Sequence, residues 1–417
     1  MPSDAYVHVR YPDGRIDLAG RYRSVVPAAG RSYGEFAYVG SWHRNEHGRA
    51  FALDPEHMPL RPGPFRSEGR GRLPGVLADA TPDRWGRRLI EYARPPGSAL
   101  MQPSDWLLAT GDERVGCLTF SETSDTPSRR PGFAAATDLA GIAESFERLD
   151  RGEAVEGLAA RLWNAGMSLG GARPKAVVEH EGVLWIAKFQ RRDDTYDQCG
   201  AEHATMRLAA VCGIEVAETQ VRDVGPRKVV LVKRFDRTPG SHEPTCHFLS
   251  GLTALGLDDT SDAGSYPDLA RFLTRYGARH VSDRHELFRR MVFNVLCGNR
   301  DDHLKNHAFT HRDGAWTLSP AFDIVPQPDM DPQQAIGVGR SGGFPTIGNC
   351  LTRAVDFDLS REDAGTLIDT LVARMRGWRD EFVARGVDGA TVMRLARAFS
   401  KDLDRDVASG ETAGLGR

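Results

Sequence analysis

The sequence predicts an α+β fold, strand-rich at its N-terminal end and mainly helical in its C-terminal half. Three observations carry that expectation. Short alternating apolar runs bounded by turn residues open the chain, Tyr6-Val-His-Val-Arg and Phe36-Ala-Tyr-Val with the turn Pro12-Asp-Gly between them. A second group of strand-like runs lies further on, at Ala176-Val-Val-Glu-His, Val183-Leu-Trp-Ile-Ala-Lys188-Phe and Lys228-Val-Val-Leu-Val-Lys-Arg-Phe-Asp236. Beyond residue 250 helical patterning takes over, interrupted by a hairpin near 307–318.

The elements follow in order. Thr81-Pro-Asp-Arg-Trp-Gly reads as a helix start, with Thr81 as cap and Pro82 in the first turn. The polar, breaker-rich stretch Glu122–Gly132 reads as a linker. An amphipathic helix follows near 137–149, and another from about 198 to 212 closes at Gly213, a glycine placed to leave the helix in a left-handed turn. Glu286–Gly298 sets Leu287, Phe288, Met291, Val292, Val295 and Leu296 on one helical face, and its last glycine releases the chain into a polar loop.

Composition narrows the class. With 417 residues, 40% hydrophobic and 27% charged, the chain has enough material for two or three domains with a substantial core. A formal net charge of −3 argues against attraction of the whole molecule to DNA. No apolar run approaches the roughly 18 residues of a membrane span, and Met1–Tyr6 lacks the basic and apolar regions of a signal peptide. A soluble, cytoplasmic protein with no membrane partner is expected. Cys117, Cys199, Cys212, Cys246, Cys297 and Cys350 form no CxxC pair and read as reduced, mostly buried thiols. Only Lys175, Lys188, Lys228, Lys233, Lys305 and Lys401 are lysine in an otherwise arginine-using chain, which points to positions where a compact ammonium is needed.

The chemistry concentrates in Asn299-Arg-Asp-Asp-His-Leu-Lys-Asn306 and in Asp323, at the two ends of the hairpin. A buried helix, a polar loop, a hairpin and then an acidic residue is the order in which a protein kinase assembles its catalytic and metal-binding groups. Asp301 and Asn306 stand in the D-x-x-x-x-N spacing of a kinase catalytic loop, with Arg300 before the aspartate. Asp301 would serve the incoming hydroxyl, Asn306 and Asp323 would supply hard oxygen ligands to magnesium, and Lys305 would offset charge on the transferred phosphoryl group. Upstream, Lys188 sits in an apolar strand, where an ammonium needs a partner, and Glu202 on the next helix is placed to supply it. Val230–Phe235 would form the hinge, with Lys233 and Arg234 offering backbone groups and Phe235 an apolar contact. The loop Ser168-Leu-Gly170-Gly171-Ala172-Arg173-Pro174-Lys175 lies where a phosphate cover would sit.

Each piece has a plainer alternative. The Asp301–Asn306 loop also reads as a solvated turn, Lys188 as an edge-strand lysine, Glu202 as an exposed helix residue and the Gly170–Gly171 loop as an interdomain turn. A zinc site at His303 and His307 would need a helix there. Gly337-Val-Gly339-Arg-Ser-Gly342 matches G-x-G-x-x-G in form only, because no strong strand precedes it and no helix follows.

Taken together, these residues resemble the HipA family, bacterial serine/threonine kinases that act as toxins in toxin–antitoxin pairs. The resemblance runs through the Ser168–Lys175 loop, Ala-Lys188-Phe, Val-Lys-Arg-Phe-Asp-Arg237, Asn-Arg-Asp-Asp-His-Leu-Lys-Asn-His-Ala-Phe309 and Ala-Phe322-Asp323-Ile, and more weakly through Thr81–Gly86 and Val115–Phe120. It implies a bilobal protein-kinase-like fold: a β-rich N-terminal domain over 1–125, a small nucleotide-binding lobe over 126–240, a helical lobe over 241–407 and a disordered tail over 408–417. It implies ATP and magnesium as cofactors, Asp301 as catalytic base, and Asn306 and Asp323 on the metal. The ATP contacts would come from Gly170, Gly171, Ala172, Arg173, Pro174, Lys175, Lys188, Lys233, Arg234, Phe235, His303, Leu304, Lys305, Asn306, Phe322 and Asp323. It further implies inactivation by autophosphorylation at Ser168, a small DNA-binding antitoxin that brings the complex to operator DNA, and a protein substrate such as an aminoacyl-tRNA synthetase. The sequence departs from the family at Lys233, where an acidic residue is common, and at Cys246-His-Phe-Leu-Ser-Gly. A small-molecule kinase would be expected to show His-Gly-Asp in this loop, and a catalytically idle corepressor would not need Lys188, Asp301, Asn306 and Asp323 all intact.

Overall fold

The structure is a computed structural model of the chain and describes residues 4–28, 31–68, 72–82, 84–95, 97–109, 111, 113–127, 133–151, 173–258, 264–330 and 333–404. Ser168, Gly170, Gly171 and Ala172, and the proposed tail, lie outside the described residues.

Among the described residues the strands build three sheets. The first has the order β4-β3-β2-β1-β5, from Asp4–Arg10 (β1), Ile16–Val25 (β2), Tyr33–Tyr38 (β3), Pro64–Ser67 (β4) and Leu118–Ser121 (β5). The second has the order β6-β7-β8-β10-β9, from Ala134–Ala135 (β6), Lys175–His180 (β7), Val183–Phe189 (β8), Thr219–Val224 (β9) and Arg227–Lys233 (β10). The third is the small sheet β11-β12-β13, from His247–Ser250, Ala308–Arg312 and Ala315–Leu318. The hairpin β12–β13 turns at Asp313 (φ 51°) and Gly314 (φ 80°), the paired left-handed residues that a two-residue hairpin loop requires.

Helix Gln198–Val211 crosses behind the second sheet and ends as expected, with Gly213 at φ 80°. The helix that precedes the polar loop runs from His280 to Cys297 and is the axis of the large lobe. Its one-face reading fails in an informative way. From Leu287 to Cys297 every side chain but Arg289 is buried, Arg290 and Asn294 included, so the helix is wrapped on all sides. Gly298 at φ 72° ends it, and a Cβ there would stand 2.1 Å from the Ala398 carbonyl oxygen. A glycine is therefore required at this point. Thr81 also departs from expectation: its hydroxyl donates back to Ala78 O at 2.7 Å and accepts from Arg87, so it finishes the preceding short helix. All six cysteines are buried and unpaired.

Two cores result. One continuous cluster runs from the first sheet (Val7, Tyr22, Phe36) and the segment after it (Leu53) into the large lobe (Leu249, Phe288, Phe309, Trp378). A smaller cluster lies between β7, β8, β10 and helix Leu139–Asp150. Phe51 stacks on His311 with ring centroids 4.3 Å apart, His247 Nε2 lies 2.8 Å from Leu53 O, and the Asp79 carboxylate accepts from both N and Oγ of Ser250 at 2.9 Å. The N-terminal sheet is thus packed into the large lobe.

Candidate active site

Strand β8 carries Lys188 into the cleft between the lobes. In an antiparallel pair, directly opposed residues project to the same face, and Lys175 on β7 is the register partner of Lys188. Lys188 is 7% exposed, and its ammonium lies 2.5 Å from Glu202 Oε1 and also donates to Asp323 Oδ1. Burial alone would lower the lysine's pKa, but the charges of Asp323 and Glu202 outweigh it and hold the group above its usual value. Burial likewise acts first on Asp323, pushing it up. Lys188 and then Lys175 override that and keep its carboxyl well below the usual range. For Glu202 burial prevails over Lys188, and the carboxyl is pushed up. Two carboxylates thus face one buried ammonium, with Lys175 acting on both.

Asp323 arrives from the far end of the hairpin with φ 61°, a left-handed conformation that is uncommon for a residue bearing a side chain. Its neighbours are pinned: Ala321 N bonds Glu215 O at 2.7 Å and Ala217 N bonds Ala321 O at 2.8 Å. Held conformations of this kind collect at functional sites.

Opposite lies the loop after Gly298. Asp301 is exposed, and its main-chain oxygen accepts from His303 N at 3.0 Å and from Asn306 Nδ2 at 3.1 Å. With its Nδ2 so engaged, Asn306 keeps its side-chain oxygen for another partner. Although the Asp301 side chain reaches solvent, the protein around it raises its pKa. Burial is the largest cause, His303 and Lys175 act against it, and Asp323 and Asp302 add to it. Leu304–Asn306 form one 3-10 turn leading into β12, with Leu304 buried and Lys305 exposed. This turn leaves no α-helix on which His303 and His307 could share a face. His303 Nδ1 is buried and has no hydrogen-bond partner among the described residues.

The structure therefore brings together Lys175, Lys188, Glu202, Asp301 and Asp323, coupled by direct contact or by charge. Other expected residues lie differently. Arg173 forms a two-pronged pair with Asp194 at 2.7 and 3.0 Å, and Pro174 O accepts from Phe189 N at 3.4 Å. The Lys233 side chain turns to Glu218 at 2.9 Å, while the Lys233 and Arg234 amides are taken by Glu218 O and Leu184 O at 2.8 and 3.0 Å. Arg234 is 3% exposed, and its guanidinium points to Asp236 and to the carbonyls of Glu113 and Arg114 at 2.6 Å. Neither its side chain nor its N–H is left to meet a ligand. Phe235 remains as the apolar member of the hinge, its ring 6.0 Å from that of Phe322.

Sequence reasoning missed a clasp behind the hinge. Asp236 is fully enclosed, accepts from Arg234, from Arg237 Nη1 at 2.8 Å and from Gly116 N at 2.8 Å, and Arg237 also donates to Gly116 O and Arg114 O. Burial pushes Asp236 up, but the two arginines hold it well below the usual carboxylate range. The dense charge in Lys-Arg-Phe-Asp-Arg237 was the available signal. Its partners near residue 115 could not be read from it.

Two lobes, a lysine–glutamate pair in the smaller one, and an aspartate-bearing loop with a second aspartate across the hairpin define a protein-kinase-like fold. Residues 167–378 match the HipA-like C-terminal domain and residues 25–121 the HipA N-terminal domain, the first covering just over half of the chain. The chain belongs to the HipA family. A protein named "Putative kinase Y4mE" from Sinorhizobium fredii is 30% identical over 149 residues, 33% of this chain and 36% of that protein. The serine/threonine-protein kinase toxin HipA of Shewanella oneidensis is 28% identical over 185 residues, 38% of this chain and 43% of that one. These matches span well under half the length of either relative. In the solved complex of the Shewanella oneidensis MR-1 toxin–antitoxin system HipA, HipB and its operator DNA, one chain aligns with a TM-score of 0.71 at 18% identity, covering 96% of both chains. That likeness establishes the fold. Among the described residues no helix is long and apolar enough to cross a membrane.

Proposed function

We propose that the chain is an ATP- and magnesium-dependent serine/threonine protein kinase of the HipA type. The observation that carries the reading is the meeting of Lys188, Glu202 and Asp323 in one cleft, with Asp301 close enough for its charge to couple to Asp323. The residues fit the cofactors. Asp323 and the unengaged oxygen of Asn306 are hard ligands of the kind magnesium takes, and the cluster carries more carboxylate than ammonium. Lys175, Lys188 and the unpartnered His303 Nδ1 are polar groups suited to phosphate oxygens. Bound magnesium-ATP would supply an activated phosphoryl group.

The protein's own groups then have separate tasks. Glu202 orients Lys188 so that its ammonium remains in the cleft. Asp301 accepts the proton of the incoming serine or threonine hydroxyl, and its raised pKa improves it as a base. Phe235 and Phe322 offer an apolar wall to a nucleobase.

The toxin role, the small DNA-binding antitoxin and operator DNA, and a protein substrate such as an aminoacyl-tRNA synthetase belong to the same proposal, supported by the relative named as a toxin and by the contents of the similar complex. Autophosphorylation at Ser168 is also part of it. A phosphate there would have to compete with Asp194 for Arg173, because that guanidinium is already held at both prongs. Incubation with magnesium and γ-labelled ATP, followed by mapping of labelled residues, tests the reading. Label transfer that falls by about 10²-fold or more in Asp301→Ala is expected, and equal labelling by the two proteins would refute it.

A further inference from the structure

Asp301 and Asp302 are sequence neighbours with opposite surroundings. Asp301 is exposed, whereas Asp302 is 1% exposed and turned into the large lobe. A buried carboxylate must be hydrogen-bonded to be tolerated, and the partners of Asp302 come from two other elements. The Tyr266 hydroxyl, from helix Tyr266–Tyr276, donates to Oδ2. His307 Nε2, just ahead of β12, lies 2.9 Å from Oδ1. Tyr266 is itself wholly buried, and its oxygen accepts from Asn294 Nδ2 of the central helix at 2.8 Å. Asn294 Oδ1 in turn accepts from Asn299 Nδ2, at the start of the loop, at 3.3 Å. The Tyr266 ring meets the His307 ring edge-on with centroids 4.9 Å apart, and His307 O accepts from Gly251 N at 2.7 Å. The carboxylate is thus tied directly to helix Tyr266–Tyr276 and to the residue that opens the hairpin, and through Tyr266 to the central helix.

We propose that Asp302 is a positioning residue, whose buried carboxylate anchors the loop to Tyr266 and His307 and thereby sets the direction in which Asp301 faces the cleft. This rests on the kinase reading of Asp301. The physical argument is one of leverage. Asp301 shares a peptide unit with Asp302, so a small rotation of that unit displaces the Asp301 carboxylate. A misplacement of about 1 Å at a reacting group is enough to cost on the order of 10²-fold in rate. Asp302 makes no contact with Lys188, Glu202 or Asp323, so the ground-state hold on nucleotide does not pass through it.

Asp302→Asn preserves shape but replaces one of the two accepting oxygens with an amide NH2, so either the Tyr266 hydroxyl or the His307 ring loses its acceptor. Tyr266→Phe removes one hydrogen bond and leaves the ring in place, so it carries the test even where Asp302→Asn folds poorly. The expected result is a fall in kcat of about 10- to 100-fold for Asp302→Asn and a smaller fall for Tyr266→Phe, with magnesium-ATP affinity within about 3-fold of the parent chain. A second readout does not depend on activity: amide hydrogen exchange at His303 and Asn306 should quicken by about 10-fold or more in Asp302→Asn while the central helix stays protected. Unchanged exchange in the loop together with unchanged kcat in both variants would overturn the proposal. So would equal losses of kcat, nucleotide affinity and global stability, which describe a general core residue. A parent chain that transfers no phosphate would refute the kinase reading instead, and the exchange result would still decide whether Asp302 holds the loop.

Discussion

The clasp at Arg234–Asp236–Arg237 and the cluster at Lys188–Glu202–Asp323 are both buried ion networks, and they are built differently. In the clasp the Asp236 carboxylate is met by two guanidinium groups and a backbone amide, and the arginines are shared with the carbonyls of residues 113–116. Both carboxylate oxygens are engaged, and the second guanidinium's surplus N–H groups are taken up by backbone carbonyls. In the cleft one ammonium serves two carboxylates, Glu202 is pushed towards its neutral form, and the Asp323 side chain remains 32% exposed. The first arrangement is closed and joins the N-terminal sheet to the hinge. The second is incomplete and open on one side, as a site that receives a charged ligand must be. Burial of charge is common to both. What separates structure from chemistry here is whether the partners are already present.

The largest effect on stability is expected from the clasp. Asp236→Ala would leave two buried guanidinium groups without their shared anion, and the cost of breaking such a pair is about 3–5 kcal/mol. Urea unfolding followed by fluorescence would measure it. A loss below about 1 kcal/mol would show that the clasp is not closed in the sense argued.

The cleft should respond in the opposite way. Asp301→Asn should lower phosphotransfer by about 10²-fold or more, while thermal unfolding at pH 7 stays at or above that of the parent. The sign follows from its pKa, which folding raises. A carboxyl with a raised folded-state pKa costs stability as pH rises through that range, and the amide removes the cost. A marked drop in melting temperature would move Asp301 into the structural class.

Acid sharpens the contrast. Asp236 and Asp323 both have folded-state pKa values below the unfolded one, so the stability they contribute is present above about pH 4 and drains as pH falls below it. Stability measured from pH 6 down to pH 2 should therefore fall in the parent chain and fall less steeply in Asp236→Asn. An unchanged slope would contradict the assignment of an Asp236 held ionised by its two arginines.

The smallest effect belongs to the hinge. Phe235→Ala should weaken nucleotide binding by about 10-fold through lost apolar contact without altering its magnesium dependence, as isothermal titration would register. No change would move the nucleobase away from the Phe235–Phe322 wall.

How far the sequence was legible follows the same division. The hairpin, the glycine ends at Gly213 and Gly298 and the strand bearing Lys188 were readable because turn chemistry and periodicity are local. The pairing of Lys188 with Glu202 was readable because only 14 positions separate them. The clasp was not, since Arg237 finds Gly116 at a separation of 121 residues. Nor was the anchoring of Asp302, whose partner Tyr266 lies 36 positions away. The apolar pattern of the central helix showed one face and hid the burial of Arg290, whose guanidinium is taken up by Glu286 and the Glu215 carbonyl. Polar residues buried through distant partners carry no periodic mark.

The central claim is that the clasp holds the fold while the cleft holds a ligand. ATP binding with and without magnesium, measured beside thermal unfolding for Asp323→Asn and Asp236→Asn, tests it most directly. Asp323→Asn should lose most of the magnesium-dependent part of ATP binding, with a fall in melting temperature smaller than that of Asp236→Asn because Glu202 still holds Lys188. Asp236→Asn should melt earlier and, below its melting range, bind magnesium-ATP as the parent does. Equal losses of binding and stability in both variants would contradict the distinction.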